Sequence, residues 1–142
     1  MLALRARKNG AMTDHLARPA GLPPSNGYSH VTVAGPGRLV HVSGQVPARA
    51  DGTVVDPTDV AAQAEQVFEH LQTALAAAGA GWGDVVKMGY FLTDLADLPV
   101  VRGVRDRYLA PDRLPASSLV QVAGLVHPDF RVEIDAVAVV ES

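Results

Sequence analysis

The stretch Phe130–Val140, FRVEIDAVAVV, splits into two sets of side chains by alternation. Val132, Ile134, Ala136 and Ala138 are wholly apolar, whereas Arg131, Glu133, Asp135, Val137 and Val139 mix charge with valine. A period of two belongs to a strand, whose successive side chains point to opposite faces. Ala116–Ala123 (ASSLVQVA) alternates in the same way, with Ser118, Val120 and Val122 against Ser117, Leu119 and Gln121. Each strand therefore offers an apolar set suited to covering helices and a mixed set that has to meet something else.

Working outward, Asp84–Thr93 (DVVKMGYFLT) is rich in strand formers. Before it, Asp56-Pro57-Thr58-Asp59 combines capping side chains with a proline suited to a first helical turn. From there Val60, Ala64, Val67, Phe68, Leu71, Leu75 and Ala78 recur at helical spacing. Gln63, Glu65, Gln66, Glu69, His70 and Gln72 fill the polar positions, and Gly79 closes the helix. A second helix is expected over Leu98–Leu109, capped by Asp97, with Val101, Val104 and Tyr108 inward. Val31–Ala34 and Leu39–Val46, joined by the turn Gly35-Pro36-Gly37-Arg38, read as a hairpin. The order is ββαβαββ, an α+β domain with one mixed sheet and two helices on one face. Two helices cover one face of a sheet and not both. The uncovered face, mixed in polarity with few charges, suits a subunit contact in a cyclic homo-oligomer with clefts between subunits.

Composition narrows the function. The chain has 142 residues, one domain's worth, and 48% apolar against 19% charged residues excludes global disorder. Its net charge of −3 supplies no electrostatic drive toward nucleic acid. Cysteine is absent, which removes disulfides, thiolate nucleophiles and cysteine-ligated metal together. No apolar run approaches the roughly 20 residues of a membrane span, and Met1–Gly10 lacks a secretory apolar centre. A cytoplasmic location is the expectation. Residues 1–21 read as a flexible N-terminal tail, in which Met12 offers a second initiator, and the domain as residues 22–142. Arg18–Gly27, with three prolines and two glycines, is an irregular lead-in.

Glu133 could act as general base on water, or could pair with Arg131 as an ordinary ion pair. Backbone N–H groups at Ser43-Gly44 could hold a substrate oxygen, or the pair could form a bulge beside a turn. The histidines at 15, 30, 41, 70 and 127 show no HxH or HExxH spacing, so neither metal nor cofactor is expected. No GxSxG elbow supports a serine hydrolase, and the glycines form no phosphate loop or dinucleotide fingerprint. Trp82 reads as a loop residue packed on the sheet edge.

The runs Tyr28-Ser29, LVHVSGQVP (Leu39–Pro47), AAQAEQVFEHLQTALAAAG (Ala61–Gly79), DVVKMGYFLTDL (Asp84–Leu95), LPASSLVQVAGL (Leu114–Leu125) and RVEIDAVAV (Arg131–Val139) together resemble the RidA/YjgF family of imine and enamine deaminases, also labelled L-PSP endoribonuclease-like. The resemblance implies a chorismate-mutase-like homotrimeric barrel with ligand clefts between subunits. It also implies hydrolysis of reactive enamines or imines to a keto acid and ammonia. By the same resemblance Glu133 is the catalytic glutamate, while Tyr28, Ser43 and Gly44 bind substrate. The family's Pro-Ala-Arg-Ser reads Pro115-Ala116-Ser117-Ser118 here, so serine replaces the arginine that clamps the substrate carboxylate. Leu119 stands where cysteine is usual, Gln121 replaces a common glutamate, and Gly124 stands where another arginine often lies. Losing a charge-assisted pair is expected to weaken small 2-imino acids roughly 10–150-fold. Unless Arg113, Arg102 or Arg131 takes over, the cleft suits a neutral or more apolar small molecule. The alternatives are a non-catalytic trimer that binds a metabolite or assists a pathway enzyme, and RNA cleavage with translation inhibition. The charge and the 5% aromatic content speak against RNA.

Overall fold

Apolar stripes on two helices close over one face of a four-stranded sheet in the computed structural model, which describes residues 13–142. Most of the expected flexible tail therefore lies outside the described residues. Its last part is ordered differently from expectation. Thr13–Leu16 form a strand, β1, paired antiparallel with β2 (Val31–Ala34), with Thr13 opposite Ala34 and Leu16 opposite Val31. Thr32 Oγ1 donates to Val86 O at 2.7 Å and the His15 Nδ1–H to Leu114 O at 2.7 Å, fastening this ribbon to the main body.

The ribbon overturns the expected hairpin. β3 (Arg38–Gln45) pairs not with β2 but with β6 (Val132–Val140), Val40 opposite Ala138 and Val42 opposite Ala136. That pairing puts two small apolar sets side by side under a helix, which a hairpin with the largely exposed β2 would not do. The sheet order is β3–β6–β4–β5, with β4 (Val85–Leu92) antiparallel to β6 and parallel to β5 (Ala116–Gln121). The sheet is mixed and the fold α+β, as expected, with β1 added ahead of the expected order.

Helix α1 spans Val60–Ala77. Asp59 accepts the Ala62 N–H at 2.9 Å, and Gly79 at φ +72° turns the chain so that the Ala80 and Gly79 N–H groups reach Leu75 O and Ala76 O. Replacing Asp59 by alanine is expected to cost about 1 kcal/mol, read as a lower denaturant midpoint at unchanged slope. Gln63, expected on the polar face, is fully buried. Its Nε2 donates to Val55 O and Asp129 O at 2.9 and 2.8 Å, and its Oε1 accepts the Arg131 N–H at 2.9 Å, so every partner it needs is backbone.

Helix α2 is shorter than expected, Leu98–Arg105. Asp97 makes no cap. Its carboxylate takes the Arg131 guanidinium in a two-point pair at 2.7 and 3.0 Å, while Asp94 caps the preceding short turn at Ala96 N. Ala64, Val67, Phe68, Leu71 and Leu75 of α1 pack with Val101 and Val104 of α2 on Met88, Leu92, Val132, Ile134, Ala136 and Ala138. Trp82 packs beside α1. Its ring lies 5.8 Å from Phe68 and 5.6 Å from Tyr108, and its Nε1–H donates to Gln72.

The opposite face carries no helix. Leu39 at 60% and Val120 at 46% exposure lie there, with Glu133, Asp135 and Val137 half-buried on β6. On β5 the expected pairing of faces is reversed: register sets Leu119 beside Tyr90 and Ile134, facing the helices, and Ser118 and Val120 outward. No helix among the described residues is long and apolar enough to cross a membrane.

Candidate active site

Between the helix side of β4–β5 and α2 lies a cavity of about 340 Å³. Three of the six expected site residues, Tyr28, Ser117 and Leu119, line it, joined by Asn26, Tyr90, Leu98, Val101, Arg102 and Arg105. The lead-in that carries Tyr28 is pinned where the Ser29 N–H donates to Pro115 O at 3.1 Å. Gly27 adopts φ +78°, and the Arg105 guanidinium occupies the space a Cβ there would need. A larger residue at 27 would displace that arginine or the loop.

The cavity is amphipathic. Leu98, Val101 and Leu119 supply the apolar wall. Tyr90 is 5% exposed, and its hydroxyl has only Met88 Sδ at 3.5 Å as partner. Burial pushes its phenol well above the ordinary value, the Arg105 charge pulls it part of the way back, and Asp106 opposes that pull, so Tyr90 stays a neutral hydroxyl. Arg105 donates from Nε and Nη2 to one oxygen of Asp106 at 3.0 and 2.8 Å. Arg102, half-exposed on the same wall, has no ion pair or side-chain hydrogen bond among the described residues. Arg102, one of the three arginines that could take over from the missing one, lines this cavity together with Arg105, while position 117 is serine. Sequence reading missed Arg105, although Leu98, Val101, Arg102 and Arg105 follow i, i+3, i+4, i+7 spacing, the signature of one helix face.

Glu133, Ser43 and Gly44 are elsewhere. The β3–β6 register breaks between Val42 and Gln45, so Ser43-Gly44 form a bulge, the plainer of the two readings of that pair. Glu133 leans across it, and a Cβ added at Gly44 would run into its carboxylate. Asp135 lies likewise over Gly89, whose added Cβ would come 2.5 Å from its Oδ1. Both glycines leave space for an acid on the helix-free face. The Arg131–Glu133 ion pair does not form: Arg131 is committed to Asp97 and to Pro57 O, and Glu133 has no hydrogen-bonding partner among the described residues. Within one chain the sheet thus separates Glu133 and the Ser43-Gly44 bulge from Tyr28, Ser117 and Leu119. Among the described residues no three histidine, aspartate or glutamate side chains converge as metal ligands would.

Comparison with known proteins places this arrangement. The family described as Endoribonuclease L-PSP matches residues 19–140. Protein DfrA of Myxococcus xanthus is 41% identical over 114 residues, covering 79% of this chain and 84% of that protein. The 2-iminobutanoate/2-iminopropanoate deaminase of Escherichia coli K12 is 37% identical over 105 residues, 72% of this chain and 80% of the deaminase. Among solved structures, a protein of the conserved Rid family from Yersinia pestis superimposes with a TM-score of 0.81 at 30% identity, covering 91% of this chain and 99% of that one. The family match over nearly the whole domain, relatives above 35% identity and a superimposable fold lead to one conclusion: the chain belongs to the RidA/YjgF family.

Proposed function

We propose that the protein is a hydrolytic deaminase of small reactive enamines and imines, acting in the cytoplasm as a homotrimer. The observation that carries this reading is the division of the site residues between two faces of one sheet. Neither half is sufficient. Among the described residues no carboxylate lines the cavity with Tyr28, Ser117 and Leu119, and Glu133 with the Ser43-Gly44 bulge lies outside it on the other face of the sheet. Packing the helix-free face of one subunit beside the cavity of the next joins them, and the exposed Leu39 and Val120 on that face suit such burial.

In the joined cleft Glu133 takes a proton from water as the oxygen adds to the C=N carbon. The nitrogen then receives a proton, the C–N bond breaks with ammonia leaving, and the carbonyl forms; an enamine first gains a proton on carbon to become the imine. Overall one water enters and one ammonia leaves. Tyr28 closes the cleft, and the backbone at Ser43-Gly44 offers hydrogen bonds to substrate. The similarity to a 2-iminobutanoate/2-iminopropanoate deaminase supports this chemistry. Ser117 and Leu119, together with the shifted positive charge, argue for a substrate range different from the simplest 2-imino acids.

The test generates imines in situ with an amino-acid oxidase or an amine oxidase and follows ammonia release. Release faster than the spontaneous rate is expected for at least one imine. If none is accelerated, with or without a carboxylate, the enzyme reading fails and a non-catalytic metabolite-binding trimer replaces it.

A further inference from the structure

We infer that Arg105, the last residue of α2, is the positioning residue of Tyr28: its flat guanidinium supports the turn at Gly27 and so decides where the next ring lies over the cavity. This rests on the deaminase reading for its effect on turnover but not for its effect on the backbone. Tyr28 meets His30 edge-on at 5.2 Å and makes no side-chain hydrogen bond among the described residues, so its place is set by the chain on either side. After it, Ser29 is 3% exposed and donates its N–H to Pro115 O at 3.1 Å. Before it, Gly27 lies at φ +78°, and a Cβ built there would stand 2.6 Å from Arg105 Cζ, with both terminal nitrogens nearer still. The guanidinium thus fills the side of Gly27 that only glycine leaves open.

The guanidinium is itself held. Arg105 is 9% exposed, its stem is fixed by α2, and its Nε and Nη2 both donate to Asp106 Oδ1, at 3.0 and 2.8 Å. It lines the cavity that Tyr28 lines and a second one of about 350 Å³, bordered by Gly27, Asp106, Leu109, Pro111 and Leu114. With the plane removed, these two spaces give Gly27 and Tyr28 room to shift. Lysine keeps the charge without the planar fork, so it leaves the turn unsupported. Arg105 therefore acts through the ring of Tyr28 and takes no part in bond making.

The first test needs no turnover. Amide hydrogen exchange of the full chain is followed by mass spectrometry. In Arg105→Lys the segment Gly27–His30 is expected to exchange about tenfold faster, with α1 unchanged, as one charge-assisted contact is lost. Gly27→Ala keeps Arg105 and Asp106 but sets a Cβ against the guanidinium, so it should speed the same segment, and it decides the matter should Arg105→Lys fail to fold. The second test reads imine hydrolysis. Arg105→Lys should lower kcat/KM about tenfold, and adding it to Tyr28→Ala should cost nothing more, because the ring it places is already gone. Unchanged exchange of the segment in either folded variant overturns the inference. Losses that multiply in the double variant overturn it too, since Arg105 would then act other than through Tyr28. Faster exchange in both variants of a protein that accelerates no imine leaves the placement of Tyr28 standing and defeats the deaminase reading alone.

Discussion

Glu133→Gln is expected to lower imine hydrolysis about 10²–10⁴-fold, the usual contribution of a positioned acid–base group, while leaving the circular dichroism spectrum unchanged. The substitution keeps the side chain's size over Gly44, and Glu133 has no partner within the described residues whose loss would disturb the fold. A second variant turns this into a test of the assembly. Ser117→Trp fills the cavity from the opposite side of the sheet and is expected to abolish turnover as well. Unfolded together in equal amounts and refolded, the two inactive proteins should regain about one quarter of the parent activity. In a random trimer, a site taking its glutamate from one copy and its cavity from the next is intact in about a quarter of cases. If one chain held the whole site, mixing would restore nothing. Zero recovery with both variants folded would therefore remove the joined-cleft arrangement, and an active Glu133→Gln protein would remove the glutamate from the mechanism.

Phe68→Ala is the largest expected change in stability, about 3–5 kcal/mol. Phe68 is fully buried, stacks on Tyr108 at 5.1 Å and 20°, and touches Trp82. It joins α1 to the segment after α2, so its removal leaves a void that two rings on different elements cannot both move to fill. At this chain length the change corresponds to a fall in melting temperature of roughly 10–20 °C. The measurement is made at fixed protein concentration, because an oligomer's melting point varies with it. A fall of under 5 °C would mean that Trp82 and Tyr108 collapse into the space, and the aromatic cluster would not be the rigid joint described.

The sequence by itself determined the α+β order from β2 onward, the helix starting after Asp59 and ending at Gly79, and the two-faced character of β6. These are local properties: a cap, a left-handed glycine and an alternation are each written within a few residues. Strand partners were not legible. β2 and β3 are adjacent in sequence and joined by a turn, yet β3 goes to β6 because small apolar faces must lie together under α1, a condition set by residues about a hundred positions apart. The destinations of polar side chains were equally hidden. Asp97 looked like a cap and became the partner of Arg131, and Gln63 looked like a surface residue and became a buried link between loops, because each choice depends on which distant carbonyls or charges arrive beside it. The site divides the same way. Residue types at Tyr28, Ser117 and Glu133 could be matched one by one, but only the tertiary structure decided that the sheet stands between Glu133 and the other two and that Arg102 and Arg105 of α2 line the same cavity as the serine. Which wall a charge ends on is a property of helix packing, since the spacing of Arg102 and Arg105 names their face and the docking of α2 chooses what that face sees.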